Sequence, residues 1–380
     1  MIETSREYAR GLLRGILQWN QKHQAFSCEF QPYGLSELPT DWLKNWRGDG
    51  ILVRIDNKAM EDAVLSTGLP ALDLRSSQPN PRVPVLGVDN EIIARMAFEH
   101  LHDAGFVHYA FCGMRRHTNV YDDLRREYFQ RFVQDAGLTC FDFPAEKVPL
   151  RGNVRDNDLK AIARWLEKLP IPTAVLACKD DRGIQVLEAA RLIGRKIPDE
   201  LAVLSVDNDP FFCNLSDPPL SSIDTNSAFI GCQAADQLCR MMNGEARPSQ
   251  PILFPPREVI ERRSTDILAI SNVKEAEILG YMREVALAGL SVREVADYFD
   301  VSVGYLEMLS KRYFHRSPKQ EMLRVQISEA KKLLSRTNLA LHHVAAQSGF
   351  RSISYFMTTF KRIVHLTPLA YRNEYQKGEI

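Results

Sequence analysis

The chain has 380 residues and is poor in the short signatures that mark an enzyme. It holds no Gly-x-Ser-x-Gly nucleophile turn, no phosphate loop, no His-Glu-x-x-His zinc pair and no Gly-x-Gly-x-x-Gly dinucleotide fingerprint. An enzyme such as a doubly wound oxidoreductase is therefore disfavoured, and no cofactor is expected. The seven cysteines (Cys28, Cys112, Cys140, Cys178, Cys213, Cys232, Cys239) are scattered, odd in number and never spaced Cys-x-x-Cys. That argues against a zinc ribbon or a disulfide framework and reads as buried thiols of a cytoplasmic protein. His342 and His343 are adjacent, so they should leave a helix in different directions, and no metal site is expected. No apolar run is long enough to span a bilayer, and Met1-Ile2-Glu3-Thr4 lacks the apolar core of a signal peptide. Net charge is missing too, with 48 basic against 48 acidic residues. The balance is uneven, however: residues 271–380 carry 16 Lys/Arg and 11 Asp/Glu, which leaves the first 270 residues acidic. A basic tail behind an acidic body suits a nucleic-acid reader with a separate sensor.

What the chain does contain, through its first two thirds, is alternation. Glu7–Trp19 reads as an amphipathic helix, Gly50–Arg54 as a buried strand, Lys58–Ser66 as a helix and Pro70–Leu74 as a strand. Val85–Asn90 is a strand ending in polar residues, and Glu91–Ala104 is a helix closed by Gly105. Strands at Tyr109–Gly113, Ala174–Cys178 and Leu201–Val206 alternate with helices at Arg125–Ala136 and Arg182–Leu192. Such alternation predicts parallel α/β sheets, whose ligands sit beyond the carboxyl ends of the strands.

The tail follows a different period. Val292, Val295, Ala296 and Phe299 share one helical face, Asp300-Val301-Ser302 interrupts it, and a second helix runs from Val303 to about Phe314. Ser302 is suited to cap that second helix. Two short helices around a tight turn describe a helix-turn-helix. The pattern recurs: Leu341–Phe350 is a second apolar-faced helix ended by Gly349, Arg351-Ser352 the turn, and Ile353–Arg362 the next helix. Val295-Ala296 matches Val344-Ala345, while Tyr305-Leu306 matches Tyr355-Phe356, so the second turn is one residue longer. Between the copies, Ser317-Pro318 opens a long helix carrying Leu323, Ile327, Ala330, Leu333 and Leu334.

Several of these residues carry a resemblance. Ser317-Pro318 before a helix ending Ala330-x-x-Leu333-Leu334, then Gly349-Phe350, Ser354-Tyr355-Phe356, Phe360-Lys361-Arg362 and Thr367-Pro368-x-x-Tyr371-Arg372, resemble the AraC-type DNA-binding domain. Gly87-Val88-Asp89-Asn90, Cys178-Lys179-Asp180-Asp181-Arg182 and Ser205-Val206-Asp207-Asn208-Asp209 each set polar residues after an apolar strand. They resemble the two-lobed periplasmic-sugar-binding fold shared with LacI-type repressors, which carry their DNA-binding domain at the opposite end. With Pro255–Asp266 and the tail, the whole chain is similar to regulators of xylose operons. The resemblance implies an α/β two-lobed, periplasmic-binding-protein-like domain over 1–266, a linker over 267–274 and an all-α domain with two helix-turn-helix units over 275–380. It also implies a cytoplasmic activator, working as a homodimer on double-stranded operator DNA and with RNA polymerase, controlled by xylose or a similar small sugar. A regulator of another ligand, or a sensor whose lobes bind a protein, stays open. The fold so resembled begins with a buried strand before the residues matching Glu3-Thr4-Ser5. Only Met1-Ile2 precede them here, so a start assigned one strand late is expected.

For the effector, Asp89, Arg126, Asp180, Arg182 and Asp207 are the candidates. Carboxylates accept two hydroxyl hydrogen bonds and an Arg fork donates two, which suits vicinal hydroxyls. Arg126 enters by resemblance alone. Each acid has the alternative of a plain helix cap. Ser5, Arg6 and Glu7 are further wall candidates, and Trp42 or Phe211 stacking candidates. For DNA, Val303, Gly304, Glu307, Met308 and Lys311 should face the groove from the first unit, with Lys311 on phosphate. Arg351, Ser354, Thr358 and Lys361 should do so from the second, with Arg351 on guanine and Thr358 on a thymine methyl or base edge. Arg351 and Lys361 have the alternative of backbone contacts only.

Overall fold

The computed structural model describes residues 1–29, 43, 46–75, 82–149, 153–266, 272–314, 316–364 and 366–376. The chain divides into two units, Met1–Leu101 with Phe106–Ile267, and Leu268–Ile380 with His102–Gly105.

The first unit opens with α1 (Glu7–His23), β1 (Ile51–Val53), α2 (Lys58–Ser66), β2 (Ala71–Asp73), β3 (Leu86–Val88) and α3 (Asn90–Asp103). It continues through β4 (His108–Cys112), α4 (Val120–Asp135), β5 (Thr139–Asp142), α5 (Val154–Leu166), β6 (Thr173–Ala177), α6 (Asp180–Leu192) and β7 (Leu201–Val206). The last elements are α7 (Pro210–Leu215), β8 (Ser221–Asp224), α8 (Ser227–Met242), β9 (Ile252–Phe254) and β10 (Glu258–Ile260). In one lobe β1 pairs parallel with β2, Asp73 bridges to Val85, and β3 pairs parallel with the late strand β9. In the other lobe six strands run in the order β10-β8-β7-β6-β4-β5, all parallel except β10. β6 and β7 are buried along their whole length, which is why both read as near-continuous apolar runs rather than alternating ones. The core of this lobe packs Val175 and Val203 of the sheet against Ile162, Trp165 and Leu166 of α5 and Val186 of α6.

Chain order crosses between the lobes, so strand ends from both meet at one cleft. Arg54 follows β1, Arg75 follows β2, Asp89 and Asn90 follow β3, Lys179 follows β6 and Asp207 follows β7. The start of α1 is brought to the same place by a close crossing with α8. A Cβ on Gly15 would fall 1.8 Å from the Ala228 carbonyl oxygen, and one on Gly231 2.1 Å from that of Leu12. Only glycine lets the two backbones approach so far.

The second unit holds α9 (Val273–Ala286), α10 (Val292–Tyr298), α11 (Val303–Phe314), α12 (Pro318–Arg336), α13 (Leu341–Gln347), α14 (Ile353–Val364) and α15 (Pro368–Gln376). Ser291 and Glu294 close a capping box on α10, and Ser317 and Gln320 close one on α12 behind Pro318. The Ser302 hydroxyl accepts from the Tyr305 amide at 3.1 Å, as its capping role requires. Two cores result: Val295, Ala296, Leu306 and Leu309 beneath the first turn, and Val344, Ala345, Phe356 and Phe360 beneath the second.

Two helices begin earlier than their apolar pattern indicates: α4 at Val120 rather than Arg125, and α6 at Asp180 rather than Arg182. Asp122 and Asp123 in one first turn, and Asp180 and Asp181 in the other, favour the helix dipole while hiding the apolar period. Within the stretch expected as linker, 267–271 lies outside the described residues, and α9 has already begun at Val273.

Candidate functional site

The strand ends and the first turns of α4 surround a cavity of about 660 Å³. Arg54, Asp56 and Arg75 line it from the first sheet, Asp89 and Asn90 from the end of β3, and Asn119, Tyr121 and Arg125 from α4 and its approach. Lys179 and Asp207 complete the wall from the six-stranded sheet, and Glu3, Arg6 and Tyr8 from the start of the chain.

Most charges on the wall are compensated. Arg54 pairs with Glu3, Arg75 with Asp56, and Arg6 with Asp181, which also receives Lys179 at 3.4 Å. Burial pushes the Asp181 carboxyl up, but Lys179 and Arg6 outweigh it and hold it below the usual range. Arg125 donates through Nε to Asn90 Oδ1 at 2.9 Å and through Nη1 to the Cys178 carbonyl at 2.6 Å, so it ties together the ends of β3 and β6. The Tyr121 ring lies 5.2 Å from its guanidinium carbon and 6.0 Å from that of Arg75. Burial pushes the Tyr8 hydroxyl up to about 12, so it remains a donor. Asp207 is held at φ 109 and followed by Asn208 at φ 52, two successive residues in conformations that L side chains seldom adopt. Burial raises the Asp207 carboxyl, while Arg125 and Arg54 pull it the other way. Donors and acceptors thus face one space, the arrangement hydroxyl-rich ligands need.

Of the five expected effector residues, two reach this wall. Asp207 does so from the end of β7. Asp89 does so while its Oδ1 accepts the Glu91 and Ile92 amides at 2.9 and 3.1 Å, so it also caps α3. The other three are not among the residues that line the cavity. Arg126 is 2% exposed and turned into Asp122, Asp123 and Asp142 over the Phe111 ring. Its neighbour Arg125, one position earlier on α4, lines the cavity instead. Asp180 accepts the Ser205 and Ser222 hydroxyls at 2.5 and 2.6 Å and the Asp209 amide at 2.6 Å. Burial, and secondarily the charge of Asp207, pushes its carboxyl up to about 7. Arg182 reaches from α6 to Asp158 of α5 at 3.3 Å and covers the Phe143 ring. Among the further candidates Arg6 lines the cavity and Ser5 and Glu7 do not. Phe211 is exposed on α7, and Trp42 lies outside the described residues. Arg54 and Arg75 were missed, although each stands just beyond an apolar strand, where the carboxyl-end rule points.

On the second unit, Gly304, Glu307, Met308 and Lys311 are all exposed on one face of α11, beside exposed Val303. Ser354, Thr358 and Lys361 are exposed on the corresponding face of α14. Thr358 donates its hydroxyl to the Ser354 carbonyl at 3.0 Å. Arg351 is exposed but already engaged: its Nε donates to the Gly289 carbonyl at 3.0 Å. The rings of His342 and His343 do not diverge; both side chains are exposed at the start of α13 and free to turn, and the rings lie 4.0 Å apart.

The sequence pattern of a periplasmic binding protein-like domain matches residues 98–265, and that of a helix-turn-helix domain matches residues 295–374. The chain is similar over nearly its whole length to the xylose operon regulatory protein of Escherichia coli strain K12. The two are 28% identical over 381 residues, covering 98% of this chain and 96% of that one. Its counterpart in Haemophilus influenzae is 28% identical over 379 residues, covering 98% and 97%. The solved structure of a xylose-binding transcription activator superposes with a TM-score of 0.62 at 26% identity, covering 98% of this chain and 97% of that one. Among the described residues no helix is long and apolar enough to cross a membrane.

Proposed function

We propose that this chain, which joins a periplasmic binding protein-like domain to a helix-turn-helix tail and is similar over nearly its whole length to xylose operon regulators, is a sugar-sensing transcription regulator whose effector is xylose or a close aldopentose and that it activates genes for using that sugar. The observation that carries this reading is the balanced polarity of the cavity. Three of the four guanidinium groups there meet carboxylates, Arg54 with Glu3, Arg75 with Asp56 and Arg6 with Asp181, and Asp207 and Asp89 add acceptors to the wall, so a neutral polyhydroxyl ligand is favoured over a phosphorylated or acidic one. The relatives named for xylose, alike over almost the whole chain, support the choice of sugar.

The switch follows from where the charges sit. Arg10 meets Asp209 at 2.6 Å and Arg6 meets Asp181, so α1 of one lobe is tied to the starts of α6 and α7 in the other. A ligand held by Arg54 and Asp89 on one side and Arg125 and Asp207 on the other adds to those ties and shifts the population toward closed lobes. In a homodimer in the cytoplasm, closure alters how two tails meet operator DNA and RNA polymerase. α11 and α14 each enter the major groove, with Lys311 and Lys361 on phosphates.

The test is calorimetry with xylose, arabinose, ribose and glucose, followed by gel-shift titration of the full chain with and without the sugar that binds. Pentose binding, an operator affinity that changes with sugar and a steep fall with salt are expected. No binding of any pentose, beside a folded protein, would sink the choice of effector.

A further inference from the structure

The two helix-turn-helix units differ by one residue, and that residue is Arg351. α10 and α13 are each 7 residues long, and α11 and α14 are each 12. In the first turn the Val301 amide donates to the Ala296 carbonyl at 3.0 Å, and the next residue, Ser302, caps α11. In the second the Phe350 amide donates to the Ala345 carbonyl at 2.9 Å, but the cap of α14 falls to Ser352, whose hydroxyl accepts the Tyr355 amide at 3.4 Å. The residue between is Arg351, and it reaches back to the first unit. Its Nε donates to the Gly289 carbonyl at 3.0 Å, and its Nη2 stands 3.5 Å from the carboxylate of Glu294 in the α10 capping box.

Two other contacts converge on the same gap. Gln326, midway along α12, donates from its amide nitrogen to the Ala286 carbonyl at the end of α9 and to the Gly349 carbonyl in the second turn, each at 2.9 Å. Gly349 itself has φ 78, and a Cβ there would fall 2.2 Å from the Ala286 carbonyl oxygen. The second turn is thus seated against the end of α9. The ion pair is exposed and contributes little on its own; the hydrogen bonds to carbonyls and the close backbone approach fix the seat.

We propose that Arg351 and Gln326 are positioning residues that lock the second helix-turn-helix unit to the first and so set the spacing of the two DNA segments the chain reads. This rests on the reading that both α11 and α14 enter the groove. A rigid pair of modules engages both segments only where their separation matches, whereas a loosened pair tolerates mismatch at some cost in affinity.

The experiment uses the full chain and a duplex selected by it from a random pool. Footprinting first locates the protected segments, and the duplex is then rebuilt with one base pair added or removed between them. The wild type is expected to lose about tenfold or more in affinity at either altered spacing, and Gln326→Ala with Arg351→Ala less than about threefold relative to its own best duplex. Gln326→Ala alone, which leaves Arg351 in place, should lie between them and keeps the test decidable if the double variant unfolds. Spacing discrimination equal to wild type in folded variants overturns the lock. An affinity loss in Arg351→Ala that is the same at every spacing makes Arg351 a DNA contact and overturns its positioning role. A single protected segment in the wild type overturns instead the two-helix reading beneath the proposal.

Discussion

Arg125 and Arg126 are consecutive on α4 and face different surroundings. Arg125 lines the cavity and holds the Cys178 carbonyl at 2.6 Å, while Arg126 is buried among Asp122, Asp123 and Asp142. One residue of helix turns a side chain by about 100°, so of two buried guanidinium groups one lines the cavity and the other turns to acidic side chains. Arg125→Ala is therefore expected to weaken sugar binding about tenfold to a hundredfold and to cost about 1–3 kcal/mol of stability for the Cys178 carbonyl it leaves unpaired. Arg126→Ala should cost about 3–5 kcal/mol of stability, because Asp122 is left buried without its partner. Calorimetry and thermal unfolding of both variants check the assignment; the opposite ranking would return Arg126 to the cavity.

That division also marks what could be read from the sequence. Parallel alternation, the repeated helix-turn-helix and the cap at Ser302 were legible because each is written in apolar period or local capping chemistry, whereas the two lobes came from the resemblance. The strand ends were legible as well, and Asp89 and Asp207 stand on the cavity wall. The start of α4 was not, since Asp122 and Asp123 interrupt the apolar period within its first turn. Nor was the fate of Asp180. A carboxyl at a strand end looks the same in sequence whether it faces a ligand or two serines from β7 and β8, and only tertiary packing brings Ser205 and Ser222 beneath it.

Glu321 is fully buried on α12 and meets Arg283 at 2.6 Å, Arg324 at 2.9 Å and Arg316 at 3.3 Å. Burial would raise its carboxyl, but Arg324, Arg283 and Arg316 outweigh it and hold it below the ordinary 4.5. A depressed folded value means stabilisation that is present above the unfolded pKa and lost as pH falls through the folded one. Glu321→Gln removes the charge under three guanidinium groups and should cost about 3–5 kcal/mol. Helix content followed in urea at pH 7 and at pH 4 tests this: the deficit of the variant should be large at the first and smaller at the second.

Asp180 has the opposite sign. Its carboxyl is raised from 3.8 to about 7, first by burial and then by the charge of Asp207. The folded chain holds this proton where the unfolded chain has released it. The associated stability is complete below the unfolded value and is lost as pH rises through about 7. Asp180→Asn keeps an acceptor for Ser205 and Ser222 and cannot ionise. Between pH 5 and pH 8 the wild type should lose stability relative to this variant, at most about 1.4 kcal/mol per pH unit. Denaturant midpoints measured across that range decide it, and a constant difference would show that Asp180 does not titrate there.

Asp207 offers the sharpest test of the cavity. It ends β7 at φ 109, a conformation that asparagine tolerates better than most residues other than glycine. Asp207→Asn therefore removes the charge while leaving the turn in place, which Asp207→Ala would not. Charge-assisted hydrogen bonds contribute about 1.5–3 kcal/mol each, so sugar affinity should fall about tenfold to a hundredfold. Stability should change little, because burial already disfavours the ionised carboxyl. The raised carboxyl adds a second signature: wild-type sugar binding should weaken as pH falls through the range where Asp207 takes up its proton, and the variant should show no such dependence. Operator binding without sugar should be the same in both, since the cavity and the recognition helices belong to different units of the chain. Calorimetry with xylose at several pH values, beside gel shifts without sugar, measures all three. Unchanged affinity in a folded Asp207→Asn protein would remove the carboxylate from the ligand and leave Arg125 and Arg54 to carry recognition.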